Sequence, residues 1–349
     1  MEEKRIAYLD VLRVFSIFCM ILLHVSAENY TSIDVTSFHW QVLNIYGSAV
    51  RFCVPVFVMI SGVVFLNPSK NIAVKTLFSK RILRLVTAFI FWSVVYAVFS
   101  AVFIKSSTDG TIKHFIGRVL GGHYHQWFIF MIVGLYLIIP LIRNITADKK
   151  QAEYFLILSF IFALVLPAIQ LIPMKELTDV IAIFKRANFN FVIGFPVYFV
   201  GGHYFATYTV SKRTKRIIYL LGILSLLFTI IATSVLSVYK SKAISALYDY
   251  LLPTTAFVAL SVFLFFKNAV SKLKLSGKHM EMLLLFSKCS FGMYLVHVLF
   301  LESLKKFDFL TIIPNAIIAV PVVSIFIFFC SFGVTYCISK IPIMNKYIM

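Results

Sequence analysis

"LDVLRVFSIFCMILLH", residues 9–24, decides the class of this chain. From Val14 to Leu23 it is apolar apart from Ser16 and Cys19, which is the composition of a helix that crosses a bilayer. Yet it opens with Asp10 and Arg13 and closes with His24. Ionisable side chains are costly in hydrocarbon, so an acid, a guanidinium and an imidazole here need a physical reason.

The apolar half of that pattern repeats along all 349 residues. Hydrophobic side chains make up 60% and charged ones only 13%, too little charge to cover a soluble protein of this length. Mean hydropathy is +0.93. The apolar residues come in blocks of roughly twenty, enough to cross the hydrocarbon core at about 1.5 Å per residue. The chain therefore reads as an all-α polytopic membrane protein, about ten transmembrane helices in one domain over residues 1–349. The spans are expected near 8–27, 45–66, 82–104, 126–142, 152–173, 191–207, 217–238, 251–267, 284–304 and 315–338.

A net charge of +19 would suit nucleic acid only if the basic residues shared one surface. They sit between the apolar blocks instead, so the charge orients the chain by the positive-inside rule and no nucleic-acid partner is expected. With both termini cytoplasmic, the inner segments hold 20 of the 33 Lys and Arg and the outer ones 10, while Arg13, Arg51 and Lys288 fall within spans. The five cysteines, Cys19, Cys53, Cys289, Cys330 and Cys337, all fall in spans at no metal-ligand spacing. They read as small buried hydrophobes, with neither a disulfide nor a metal site expected. "VSA" at 25–27 resembles a signal-peptide cleavage site, but Asp10 and Arg13 would interrupt such a leader and His24 would abut the cut. The segment reads as a retained span.

No linker, repeat or low-complexity stretch separates out, and the longest loops, 28–44, 105–125 and 174–190, fall outside. Pro140, Pro173, Pro253 and Pro314 lie near span ends, whereas Pro55 and Pro196 fall inside spans and are expected to kink them.

At about 100° per residue, Arg13 and His24 stand roughly 300° and 320° from Asp10, so the three share one narrow face. Asp10 and Arg13 can pair across one turn, which lowers the cost of placing each near the boundary. His24 lies about 16 Å further along the axis. The plain alternative, a helix-end anchor plus a hydrogen-bonded interhelical histidine, explains each residue singly but not their common face.

Further polar groups accompany this track. Arg51 precedes "FCVPVFVMISG", which ends at Ser61 and Gly62. "FSKRILRL" puts Lys80, Arg81 and Arg84 at the inner mouth of the third span, where they can anchor the helix or grip phosphates. "HYHQWF" places His125 and Trp127 at the outer start of the fourth, as an aromatic belt or a ligand contact. "SFGMYLVH" gives the ninth span Tyr294 and His297, either core hydrogen bonds or site groups.

With these residues assembled, the chain resembles the acyltransferase-3 family of integral-membrane acyltransferases. The resemblance rests on "LDVLR" followed at the Arg13-ten residues-His24 spacing, then "VPVFVMISG", "KRILR", "HQWF", "YFVGGHY" and "SFGMYLVH", in the family's order over residues 8–297. In length and in "HQWFIFMIVGLYLIIPLI" it is similar to the small members without a fused extracytoplasmic domain, associated with O-acetylation of surface polysaccharides. It departs in "SFGMYLVH", where a tyrosine often follows the serine, and in "MISGVVF", where an aromatic often follows the glycine, and neither departure touches an ionisable residue.

The resemblance implies transfer of an acyl group, usually acetyl, from cytoplasmic acyl-CoA to a hydroxyl of an extracytoplasmic or lipid-linked glycan. It implies essential roles for Arg13 and His24, in a helix that lines a reaction channel. The expected catalytic set is His24 as general base, with Arg13 and Asp10 holding the inner channel. Lys80, Arg81, Arg84 and Arg51 are expected to bind acyl-CoA, and His125, Trp127, Tyr294, His297 and Ser61 to shape the acceptor side. Acyl-CoA is a co-substrate, and no permanently bound cofactor is expected. The expected location is the cell (plasma or inner) membrane. A glycan exporter or flippase also has many spans and in-membrane charges, but gives no reason for a basic cluster on the inner side. A membrane sensor would need a reader domain, which the sequence lacks.

Overall fold

In hydrocarbon every backbone N–H and C=O must be satisfied within its own segment, so each apolar block is driven to form a helix. The computed structural model describes residues 7–67, 73–104, 112–171, 194–270, 277–306 and 315–349, and every regular element among them is helical. Lys4 and Arg5, Lys70, the loop 174–190, Pro173 and Pro314 lie outside the described residues.

Eight described helices are long and apolar enough to cross a membrane: Ala7–Ala27, Phe38–Phe65, Val74–Phe103, Lys149–Ile169, Lys212–Tyr239, Ala246–Val270, Gly277–Lys306 and Ala316–Ser339. Ile112–Leu137 with Ile139–Ala147 brings the number to nine if the pair is one span, against ten expected. The difference is the sixth, 191–207. Its described part is the helix Pro196–Thr207, whose 12 residues are too few to cross.

The helices bury the wrong face for a soluble protein. Lys212–Tyr239 turns Ile218, Gly222, Ser225, Thr229, Thr233 and Ser237 inward, at spacings of three and four, and exposes Leu220, Ile223, Leu227 and Ile231. Ala316–Ser339 likewise buries Ser324, Ser331 and Thr335 and exposes Ile318, Ile325 and Phe329. Small and hydroxylated residues inside with large apolar ones outside is the pattern of helices packed in lipid. The same outward face carries Cys337, which is exposed, with Cys330 half-buried. Only Cys19, Cys53 and Cys289 fit the expectation of burial, and none of the five is bridged.

The contacts divide the chain into two compact units. The first comprises residues 1–70 and 139–275. Its central crossing joins Cys53–Phe65 to Pro196–Thr207, where Gly62 and Gly202 let the two backbones touch: a Cβ at Gly62 would stand 1.8 Å from the Phe199 carbonyl oxygen. Pro55 cannot donate to the Arg51 carbonyl, and the helix breaks there, between Val50 and Cys53, as expected. Pro196 instead occupies the first turn of its helix, where a missing N–H costs nothing, so it kinks nothing there. Pro321 is inside a helix, unanticipated. Arg143 donates from Nε and Nη2 to the Phe65 carbonyl at 2.9 and 2.7 Å, closing the end of Cys53–Phe65 with a cation.

The second unit comprises residues 71–138 and 276–349. Gly277–Lys306 and Ala316–Ser339 pack closely at Gly292, where a Cβ would lie 2.4 Å from Thr335 Cγ2. The chain's last residues fold back on Val74–Phe103: Trp92 Nε1 donates to the Ile348 carbonyl at 3.1 Å, and Thr87 Oγ1 to that of Tyr347.

Candidate active site

In the first unit, the opening helix Ala7–Ala27 carries the polar track. Asp10 is buried at 4% exposure and Arg13 is half-buried, with Nη1 3.9 Å from the Asp10 carboxylate, the pairing that a three-residue spacing predicts. His24 is half-buried in the last turn.

Beyond His24 lies a polar cluster built by three segments. The Arg51 guanidinium sits 4.2 Å from the centre of the Tyr248 ring. Tyr30 Oη donates to Tyr248 Oη at 3.2 Å, and Tyr248 Oη donates to Asn44 Oδ1. Trp40 stacks on Tyr30 and donates from Nε1 to its carbonyl at 3.0 Å, fixing the loop. Burial and the neighbouring Tyr248 push the Tyr30 phenol upward, so it stays a donor. Gly47 opens the middle of the cluster, with Ser26 Oγ, Tyr248 Oη and Arg51 Nη2 all within 4.0 Å of where a Cβ would be. Arg51 Nη2 and Ser26 Oγ, the latter two residues past His24, thus both lie near Gly47. Tyr30, Asn44 and Tyr248 had no motif to announce them. Ser61 donates to its own helix at the Phe57 carbonyl, 3.0 Å away, beside the Gly62 crossing.

In the second unit the expected residues fall into two places. Lys80 and Arg81 lie in a π-helical stretch, Leu77–Ile82, and are exposed. The wider turn breaks the even face that a regular helix would give "KRILR". Arg84 is half-buried and donates from Nε to the Met349 carbonyl.

His125, Tyr294 and His297 come together. Tyr294 Oη donates to the His125 carbonyl at 2.7 Å, His297 Nδ1 is 2.7 Å from the Tyr294 carbonyl, and the two imidazole centres are 5.4 Å apart. Trp127 begins the next helix, 38% exposed. Around them is a polar chain that sequence reasoning missed. Glu302 Oε1 is 2.9 Å from His123 Nε2, and His123 Nδ1 is 3.1 Å from His125 Nδ1. Gln126 Oε1 accepts from the His123 amide at 2.6 Å and from Ser93 Oγ at 3.1 Å, which pins the turn. Tyr96 stacks on His123 at 4.4 Å and donates to the Leu295 carbonyl at 2.8 Å. The doubled histidine in "HYHQWF" was the available signal; Glu302 offered none.

Among the described residues no group of three or more His, Cys, Asp and Glu is arranged to hold a metal ion. What the two clusters offer is acid–base and hydrogen-bonding chemistry.

Comparison with known proteins adds one match. A family model described as an acyltransferase domain matches residues 6–340, nearly the whole chain. No curated protein and no solved structure matches it.

Proposed function

The chain belongs to the acyltransferase-3 family and is a multi-pass membrane acyltransferase, and from that premise we propose that it moves an acetyl group from cytoplasmic acyl-CoA to a hydroxyl of an extracytoplasmic or lipid-linked glycan. The observation that carries the proposal is the first helix, with a paired Asp10 and Arg13 in its first turns and His24 in its last. A membrane span that holds charge near one end and an imidazole near the other suits a reaction whose donor and acceptor arrive from opposite sides.

A hydroxyl attacks a thioester poorly until its proton is accepted. In the proposed reaction His24 takes that proton as the oxygen adds to the acyl carbon. The C–S bond then breaks, and the imidazolium returns the proton to the departing thiolate. Arg51, which with Ser26 lies near Gly47, is suited to the acyl end of the donor. Lys80, Arg81 and Arg84 hold the CoA phosphates by charge-assisted hydrogen bonds. Asp10 and Arg13 keep the inner part of the track polar. His125, Trp127, Tyr294, His297 and Ser61 serve the acceptor. The cell membrane is the proposed location.

Mass spectrometry of surface glycans from cells with and without the chain tests this. Acetyl-sized mass differences that depend on the chain are expected. Glycan that reaches the surface only with the chain, yet unmodified, would replace the reading with that of an exporter.

A further inference from the structure

The helix Lys212–Tyr239 opens on "KRTKR", so four of its first five residues are cations. Cations suit the C-terminal end of a helix, where the backbone dipole is negative, and are disfavoured in the first turn. No Asp or Glu occurs from residue 180 to residue 248 to offset them. The protein satisfies one of the four from within: Lys215 Nζ donates to Asn268 Oδ1 at 2.9 Å. Lys267, next to Asn268 in sequence, is committed to the Phe205 and Ala206 carbonyls, at 2.6 and 2.9 Å. Lys212, Arg213 and Arg216 are exposed, and among the described residues none of them is paired with a carboxylate.

Those three cations crown the face that the helix leaves uncovered. At about 100° per residue, Lys212, Arg216 and Arg213 stand at roughly 0°, 40° and 100°, with Lys215 on the other side at about 300°. Ile223, Leu227, Leu220 and Leu224 fall at roughly 20°, 60°, 80° and 120°. All four are exposed. The buried Ile218, Gly222, Ser225 and Thr229 lie opposite, between about 220° and 280°. One strip of the helix surface therefore carries positive charge at its head and apolar side chains below it. From Arg216 to Leu227 the strip rises about 16 Å, close to half of a hydrocarbon core roughly 30 Å thick.

We propose that this strip binds an anionic phospholipid. Its phosphate diester sits among Lys212, Arg213 and Arg216, and its acyl chains lie along Leu220, Ile223, Leu224 and Leu227. Two guanidinium groups three residues apart are neighbours on a helix and can grip phosphate oxygens by charge-assisted hydrogen bonds. The capped first-turn amide is not needed, because Ser211 Oγ already accepts from the Thr214 N–H at 3.1 Å. A zwitterionic lipid brings its own ammonium to the phosphate and so gains less from three cations. A free phosphate gains nothing from the apolar strip. Charge set above an apolar length of one leaflet commits the site to an anionic lipid. The site stands whether or not the chain transfers an acyl group.

The full chain in detergent is given phosphatidylglycerol or phosphatidylcholine with identical acyl chains, and retained lipid is counted by native mass spectrometry. Phosphatidylglycerol is expected to bind roughly tenfold more tightly or better. Arg213→Gln with Arg216→Gln is expected to remove most of that preference. Lys240→Gln with Lys242→Gln removes the same charge from exposed positions at the other end of the helix, and is expected to keep the preference. No preference in the native chain overturns the proposal without any variant. Equal loss in both double variants overturns it too, because net charge alone would then explain the binding. Glycerol phosphate that displaces phosphatidylglycerol at equal concentration would make this a site for free phosphate. Acetyl-CoA that does so would make it a donor site, and either result overturns the lipid.

Discussion

Gly62 and Phe199 meet backbone to backbone: a Cβ built on Gly62 would lie 1.8 Å from the Phe199 carbonyl oxygen, closer than any real pair of such atoms. The reciprocal contact is at Gly202, whose Cβ would stand 2.1 Å from the Met59 carbonyl. "ISG" and "VGG" are therefore packing motifs, in which small residues let two helices touch where lipid supplies no hydrophobic drive. The neighbour in each case is backbone, which cannot swing away.

Gly62→Ala and Gly202→Ala should each destabilise the chain by about 1–3 kcal/mol or more, the usual cost of overpacking. The purified variants should melt several degrees lower in detergent, or fail to insert. Gly134, on Trp127–Leu137, has nothing within 4 Å of its would-be Cβ. Gly134→Ala should be neutral or stabilising by up to about 1 kcal/mol. Equal melting temperatures for all three would reject the crossing.

Asp34 orders the turn that leads into Phe38–Val50. Its carboxylate accepts from the Thr36 amide and hydroxyl, both at 2.9 Å, which lowers its pKa below the usual carboxylate value. A depressed carboxyl contributes order above its unfolded value and loses it as pH falls through the folded one. Amide exchange at Thr36, corrected for the intrinsic pH effect, should quicken as the solution is acidified through that range. In Asp34→Asn the acid-dependent step should vanish; if it persists, another group governs the turn.

How much of this was legible beforehand depended on sequence distance. The face shared by Asp10, Arg13 and His24 follows from helical geometry alone, and the Asp10–Arg13 pair is found at 3.9 Å. Pro55 breaks its helix for a local reason too. The Tyr30–Tyr248 and His123–Glu302 contacts join residues far apart in the chain, which no periodicity encodes. Glu302 resembles any acid near a span end until His123 is placed beside it. The π-helical widening at Leu77–Ile82 was equally hidden, because "KRILR" carries no helix breaker.

His24→Ala should lower acyl transfer by roughly a hundredfold or more, the usual contribution of a positioned general base. The side chain is half-buried at a helix end, so melting temperature and membrane insertion should change little. The measurement is acetyl incorporation into surface glycan at matched protein levels. Near-native transfer by the alanine variant would remove His24 from the chemistry and leave its helix a structural element.

Lys80, Arg81 and Arg84 differ in what else they do, and that difference makes the donor site testable. Lys80 and Arg81 are exposed, whereas Arg84 holds the Met349 carbonyl. If all three bind CoA phosphates, acetyl-CoA at a hundred times its Kd should stabilise the native chain by about 2.7 kcal/mol, seen as a higher melting temperature. Lys80→Ala with Arg81→Ala, both at exposed positions, should change the ligand-free melting temperature less than Arg84→Ala does. Each lost charged contact, worth about 1.5–3 kcal/mol, should weaken binding roughly tenfold or more, so the shift shrinks at the same ligand concentration. Arg84→Ala should lower both the ligand-free melting temperature and the shift. An undiminished shift in the double variant would place the nucleotide elsewhere, and no shift in the native chain would remove acetyl-CoA as the donor.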